Sequence, residues 1–268
     1  MKYLPIITAS DQAFLPGLQA LLSSLSQNSP IRNVHVLDCG IEALARSHLE
    51  LNFPDVNFIE FNEARHLPAS NVGSNASYAR LYIGDYFEEF KRVLYIDADT
   101  VVLNDLQELD VVELRQDAIL AACIEHYTPT FASHRGVENY SKLGFNGNEP
   151  YFNSGVLLID VQRWNAFEIK KASIAYLLRK DVHINLFDQE AINVSVVGKW
   201  QELHPRWNVT KYWMKEDRRQ NHPNLLEEAC IAHFISQPKP WERPDEVHPW
   251  LVEKFHMFAT MNPNEKPT

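Results

Sequence analysis

The feature that most constrains the fold is the alternation of short apolar runs with helix-patterned segments across the first 61 residues. Tyr3 to Thr8 is an apolar run of strand length. Phe14, Leu18, Leu21, Leu22 and Leu25 then recur at helical spacing, with Pro16 in the first turn, where proline is tolerated. Asn33 to Leu37 reads as a second strand, Leu44, His48 and Leu51 mark a second helix, and Val56 to Phe61 reads as a third strand. This β-α-β-α-β order predicts a largely parallel sheet with helices on both faces, an α/β fold.

Downstream, the pattern predicts a helix over Ser77 to Tyr86 and an apolar strand over Arg92 to Ile96. Ala118 to Ile124 and Gly155 to Ile159 read as further central strands. The polar stretch between them, Glu125 to Pro150, is long for a connection in a compact domain, and such loops are usually functional or mobile. Helices are expected at Val161 to Phe167, Ile169 to Lys180 and Asp188 to Val196, and a last short strand at Cys230 to Phe234. Trp250, Lys254 and Phe258 stand at helical spacing after Trp241. With no repeat and no linker in view, the expected organisation is one domain over 1–241 and a helical tail over 242–268.

A chain of 268 residues with 45% hydrophobic content can bury a sizeable core. Its formal net charge of −10 makes it a poor nucleic-acid binder. Cys39, Cys123 and Cys230 are far apart and odd in number, which argues for free thiols rather than a disulfide framework or a zinc site. MKYLPIITAS is too soon interrupted for a signal peptide, and no apolar run nears the ~18 residues of a membrane helix. The expectation is a cytoplasmic protein, peripheral at the membrane at most. The N-x-S/T patterns at Asn75, Asn139, Asn193 and Asn208 are read as chance.

The segment richest in chemistry is YIDADTVVL, Tyr95 to Leu103. Side chains alternate along a strand, so Asp97 and Asp99 point the same way if the backbone stays extended. They follow an apolar strand, at the carboxyl edge where open α/β sheets bind ligands. Two adjacent carboxylates repel each other unless a cation lies between them, and hard divalent ions such as Mg²⁺ or Mn²⁺ prefer oxygen ligands. An ion held there can clamp a diphosphate and neutralise charge on it as it leaves. The plain alternative is a pair of aspartates that end a strand and start a turn. Haloacid dehalogenase-like phosphatases also carry D-x-D-x-T after an apolar strand, with the first aspartate as nucleophile. That motif normally opens its domain, whereas here 96 residues precede Asp97.

From ITASDQAF near the start, SYARLYIGDYF, RVLYIDADTVVLNDLQEL, YFNSGVLLIDVQRW, FDQEAINV, PRWNV and HFISQPKPW, the chain resembles glycosyltransferase family 8. That family includes glycogenin and bacterial lipopolysaccharide galactosyl- and glucosyltransferases, and the resemblance runs from about Tyr3 to Trp241. It implies a GT-A fold, an α/β/α domain with a Rossmann-like nucleotide-binding half. It also implies a UDP-glucose or UDP-galactose donor, an Mn²⁺ requirement (Mg²⁺ as substitute) and retention of anomeric configuration. The acceptor is a glycan, a lipid-linked sugar or a protein. A catalytically silent UDP-sugar-binding protein of the same fold is the alternative.

Residue by residue, the resemblance makes Asp97, Asp99 and His233 the metal ligands. A histidine nitrogen suits Mn²⁺ better than Mg²⁺. Thr8, Ala9, Asp11, Phe14, Ala98, Ser236 and Lys239 fall at nucleotide-binding positions. There Asp11 lies near the uracil ring, Phe14 replaces a stacking tyrosine, and Ala13 stands where asparagine is frequent. Lys239, between Pro238 and Pro240, can set an ammonium on the diphosphate; its plain alternative is a solvated surface lysine. Ser236 replaces a glycine whose N–H meets the diphosphate. Arg80, Asn153, Ser154, Asp188 and Gln189 match the sugar-binding set, with Arg80, Asp188 and Gln189 as the catalytic candidates. Asp188 alone would read as a helix N-cap. A carboxamide is a weak nucleophile, so Gln189 disfavours double displacement. Front-face attack through an oxocarbenium-like ion pair, with the leaving diphosphate taking the acceptor's proton, is the expected mechanism.

Overall fold

The structure is a computed structural model that describes residues 3–29, 33–68, 76–235 and 237–259. In chain order the first elements are β1 (Ile6–Ser10), α1 (Leu15–Asn28), β2 (Val34–Asp38), α2 (Ala43–Asn52) and β3 (Val56–Glu60). Next come α3 (Ile83–Tyr86), β4 (Arg92–Ile96), β5 (Thr100–Val102), α4 (Gln107–Asp110), β6 (Leu120–Ile124) and β7 (Phe152–Asp160). The last are α5 (Val161–Ala166), α6 (Ile169–Leu177), α7 (Phe187–Ser195), β8 (Trp200–Glu202), β9 (Ile231–His233) and α8 (Pro249–Ala259). They fall into two units, one of Met1–Glu60, Ile96–Val112 and His204–Thr268, the other of Phe61–Tyr95 and Glu113–Leu203.

In the first unit β1, β2 and β3 are parallel, in the order β3-β2-β1, with Ile6 opposite Val34 and Val34 opposite Val56. The predicted strand–helix alternation is therefore realised. α1 buries Leu18, Leu21, Leu22 and Leu25, the spaced leucines that announced it. Phe14 is left outside, in a short 3-10 turn. β5 and β9 form a separate antiparallel pair. Trp250, Lys254 and Phe258, noted for their helical spacing, lie in α8, which closes a core on these elements. Ala20, Val101, Ala232, Phe234, Leu251, Phe255 and Phe258 are all buried together.

In α2 the helix forms, but its buried residue is Leu49, while Leu44 and Leu51 are 74% and 78% exposed. The spacing that announced the helix therefore lies on its solvent face. Arg46, 3.0 Å from Asp38 and 2.9 Å from Glu50, fixes that orientation.

The second unit carries strands in the order β4-β7-β6-β8. β4 coincides with the predicted Arg92–Ile96 strand. β6 pairs parallel with β8 but antiparallel with β7, with Leu120 opposite Ile159, so the expected parallel pairing is met among β1, β2 and β3 and between β6 and β8, and β7 departs from it beside β6. The physical reason is the connection. Residues 125–151 contain no helix to serve as a crossover, and antiparallel neighbours need none. Instead the excursion returns as a long hairpin arm, closed by Glu125 N–H to Tyr151 O at 2.9 Å and Phe131 N–H to Glu149 O at 2.9 Å. Phe131, Val137 and Tyr151 bury a core of its own, against Leu186 and Val194. The stretch expected as a long loop is thus a loop anchored by a small apolar core, while residues 138–150 stay at or near the surface. Ser77 to Tyr86 is mostly a 3-10 helix, Ala76–Tyr82, followed by the single turn α3.

Cys39, Cys123 and Cys230 are free thiols. Among the described residues, no helix is long and apolar enough to cross a membrane.

Candidate active site

The metal candidates assemble in the first unit, and a turn rather than an extended strand assembles them. β4 ends at Ile96, the backbone turns through Asp97–Asp99, and β5 begins at Thr100. Thr100 Oγ1 donates to Asp97 O at 2.8 Å and locks the turn. β5 pairs with β9 so that Thr100 lies opposite His233, and Phe234 N–H donates to Asp99 O at 2.9 Å. His233 Nε2 consequently lies 3.3 Å from Asp99 Oδ1 and 3.8 Å from Asp97 Oδ2. One ligand atom from each of the three residues falls within 4.8 Å of the others.

The tautomer of His233 is set from behind. Its Nδ1 lies 2.9 Å from Asn208 Oδ1, which makes Nδ1 the protonated nitrogen and leaves the Nε2 lone pair facing the carboxylates. Two carboxylate oxygens and a bare imidazole nitrogen are three acceptors converging on one point. A hard-to-borderline divalent cation fits that donor set. Asn208 is held in turn because Val209 N–H donates to Ile231 O at 2.8 Å and His233 N–H donates to Val209 O at 2.9 Å.

Lys239 is buried, which excludes the solvated-lysine alternative. Its Nζ donates to Asp99 Oδ2 at 2.6 Å and to Phe234 O at 2.6 Å. Burial alone pushes the Asp99 carboxyl up, but the Lys239 ammonium that donates to it outweighs burial and holds the group well below the usual carboxylate range. Lys239 Nζ also stands 5.4 Å over the Phe14 ring, which meets Trp241 edge-on at 6.1 Å. Phe14 is therefore part of an aromatic–cation group beside the carboxylates, not of the apolar core.

Asp11 caps the 3-10 turn after β1, its Oδ1 accepting from Ala13 N–H at 3.0 Å and Phe14 N–H at 3.2 Å. Thr8, Ala9 and Ala98 are buried, and the buried Thr8 hydroxyl has no hydrogen-bond partner among the described residues. Ser236 lies outside the described residues. Gly17 of α1 went unnoticed in the sequence. A methyl group there would lie 2.7 Å from Ala98 O and 2.8 Å from the Trp241 ring, so only glycine lets α1 support the metal turn this closely.

The second unit assembles the sugar-binding candidates. Arg80, buried, donates from Nη1 to Ser154 O at 2.6 Å and Ser154 Oγ at 2.9 Å. Its Nε donates to Ser77 O at 2.9 Å and lies 3.2 Å from Asp188 Oδ2, while its guanidinium stacks 4.7 Å from the Tyr95 ring. Ser154 N–H donates to Gln189 Oε1 at 3.0 Å. Asp188, Arg80, Ser154 and Gln189 thus form one hydrogen-bonded chain. Asp188 is not an N-cap: it lies in the first turn of α7, behind Leu186 at the cap position, and faces Arg80.

Three further residues hold this group in place. Buried Glu125 accepts from Asn153 Nδ2 at 2.8 Å, while Asn153 Oδ1 accepts from Gly155 N–H at 2.9 Å, which fixes the amide's orientation. Asn193 ties α7 to β7, accepting from Phe152 N–H and donating to Phe152 O, each at 2.9 Å. Glu190 accepts from Asn185 N–H at 2.7 Å and Tyr176 Oη at 2.7 Å, and burial nevertheless raises its carboxyl. These contacts hold Phe187 at φ +37°, a left-handed value that costs a non-glycine residue of order 1–3 kcal/mol.

Known proteins resemble this chain in sequence and in fold. The sequence model described as "Glycosyl transferase family 8" matches residues 5–245. General stress protein A of Bacillus subtilis is 29% identical over 258 residues, covering 90% of this chain and 86% of its own. The lipopolysaccharide 1,3-galactosyltransferase of Salmonella typhimurium is 29% identical over 214 residues, 77% of this chain and 60% of its own. Among solved structures, the galactosyltransferase LgtC in complex with donor and acceptor sugar analogs superposes with a TM-score of 0.77 at 27% identity. That match covers 96% of this chain and 97% of LgtC, and the fold is accordingly the GT-A type. The family match also sets aside the phosphatase alternative.

Proposed function

The chain belongs to glycosyl transferase family 8 and is a glycosyltransferase, and from that premise we propose a retaining, Mn²⁺-dependent transferase that moves glucose or galactose from a UDP-sugar. The acceptor is a glycan, a lipid-linked sugar or a protein, reached in the cytoplasm or at the membrane surface. In this reading 1–241 is the catalytic domain and 242–268 a helical tail. The observation that carries the proposal is the convergence of Asp97, Asp99 and His233, with the imidazole oriented by Asn208. When bound there, a divalent ion supplies electrostatic stabilisation of the leaving diphosphate.

The chain's own residues do the rest. Asp97 and Asp99 offer oxygens and His233 offers Nε2 to the ion. Lys239 gives an ammonium to the diphosphate. Thr8, Ala9, Asp11, Phe14 and Ala98 hold the nucleoside, and Ser236 lends its N–H to the phosphates. Asp11 has Oδ1 committed to its own turn, so its Oδ2 takes the uracil N–H. Asn153, Ser154, Asp188 and Gln189 bind sugar hydroxyls, and Arg80 keeps Asp188 and Ser154 in register. Gln189 Oε1 already accepts the Ser154 N–H, which further lowers its worth as a nucleophile and favours front-face attack.

The test is a thermal-shift panel of UDP-sugars with and without Mn²⁺, followed by UDP-release assays. Stabilisation by one UDP-hexose that requires Mn²⁺, with transfer to an acceptor or slow hydrolysis, is the expected result. Stabilisation without turnover would mark a silent binder, and no response to any UDP-sugar would remove the donor assignment.

A further inference from the structure

Lys239 does more than wait for a phosphate. Its side chain is 5% exposed, and two of the ammonium's three donors are committed within the protein, to Asp99 Oδ2 and Phe234 O. The first of these is also an oxygen of a metal-ligand carboxylate, whose other oxygen faces His233. Asp99 is therefore already neutralised by a cation that belongs to the chain. A divalent ion arriving alone has to share Asp99 with a desolvated like charge at short range, where water screens little. A diphosphate arriving alone finds the same ammonium occupied and two carboxylates nearby. Only when both arrive can Asp99 turn to the ion and Lys239 to the anion, so that every buried charge has a partner.

We infer that Lys239 is an internal counter-ion that makes metal and nucleoside diphosphate bind interdependently, because it holds Asp99 in the free chain and passes to the diphosphate when the ion takes Asp99. The inference rests on the donor-site reading above and adds a sign to it: Lys239 opposes metal binding without nucleotide and favours it with nucleotide. Linkage makes the effect reciprocal, so the ion must raise UDP affinity by the factor by which UDP raises metal affinity.

Mn²⁺ binding to the whole chain, measured by calorimetry with and without UDP, tests this on the wild type, Lys239→Met and Lys239→Gln. Circular dichroism monitors folding. Lys239→Gln keeps N–H donors for Asp99 and Phe234 O while removing the charge, and serves if the methionine variant does not fold. The wild type should bind Mn²⁺ at least about tenfold more tightly with UDP, within the usual span of coupling between sites. Both variants should bind Mn²⁺ more tightly than the wild type in the absence of UDP, and gain less when UDP is added. Equal or weaker Mn²⁺ binding by the variants without UDP overturns the inference and leaves the donor-site reading standing. Failure of the wild type to take up Mn²⁺ with or without UDP overturns both.

Discussion

Replacing Arg80 by methionine removes the cation 3.2 Å from Asp188 and the donor to both oxygens of Ser154. Methionine fills similar volume, so the loss is one of charge and hydrogen bonds more than of packing. Arg80 and Asp188 side chains are 5% and 11% exposed, so this pair belongs with buried ion pairs. Breaking such a pair from one side costs about 3–5 kcal/mol, because the remaining charge stays desolvated. With unfolding entropy near 2.1 cal/mol/K per residue, that lowers Tm by about 5–9 °C for a chain of this length. Asp188→Asn removes the other charge and keeps the shape, and the double variant should recover part of the loss. Calorimetric melts of the four proteins close the cycle, and a coupling energy of about 2 kcal/mol is expected for residues in one network. A Tm change below about 1 °C for Arg80→Met, or additive losses in the double variant, would refute the bracing role. Arg80 would then be a ligand-facing residue only.

Other predictions reach the metal turn and the product. Asn208→Leu frees the His233 ring and should weaken Mn²⁺ binding by about 10–100-fold, the scale for losing the partner behind a ligating histidine; a titration showing unchanged affinity contradicts the tautomer assignment. Gly17→Ala places a methyl against Ala98 O and Trp241 and should cost about 1–3 kcal/mol, read in a urea melt, together with weaker metal binding. If that variant is as stable as the wild type, α1 does not support the turn. An α-linked UDP-hexose should give an α-linked product by anomeric proton coupling in NMR, and a β-linked product would end the retaining assignment.

Much of this was legible in the sequence where pattern and physics coincide. The run Val93 to Ile96 is apolar because β4 is buried there, and the ends of the strand were readable to the residue. The Asp97–Asp99 pair was legible as a motif, but its geometry was not. The residues meet through a turn closed by Thr100 and a β5–β9 pairing over 130 residues of chain; β9 lies within the strand expected at Cys230 to Phe234, but its pairing with the three-residue β5 left no pattern to read. Strand direction was also hidden. The apolar runs of β6 and β7 look alike whichever way they run, and only the helix-free excursion over 125–151 reveals the antiparallel pairing. Leu44 and Leu51 announced a real helix and misled on its face, since the Arg46–Asp38 pair turns Leu49 inward instead. His233 could be picked from eleven histidines only through its motif context. Asn208 stood in the quoted PRWNV segment without a role, because His233 lies 25 residues away and only the fold brings the two together. Glu125, at the end of an apolar strand and buried against Asn153, was hidden for the same reason, its partner lying 28 residues away.

The central claim is that Asp97, Asp99 and His233 hold a divalent ion on which glycosyl transfer depends. The most direct measurement is the rate of UDP release from UDP-glucose and UDP-galactose with Mn²⁺, for the wild type, Asp97→Asn and Asp99→Asn, with circular dichroism to verify folding. A carboxamide is nearly isosteric with a carboxylate, so the fold should persist while turnover falls by about 10²-fold or more, the scale for losing a main electrostatic stabiliser. Excess EDTA should reduce the wild type to the same level. Full wild-type turnover in EDTA, or undiminished turnover in both asparagine variants, would contradict the account.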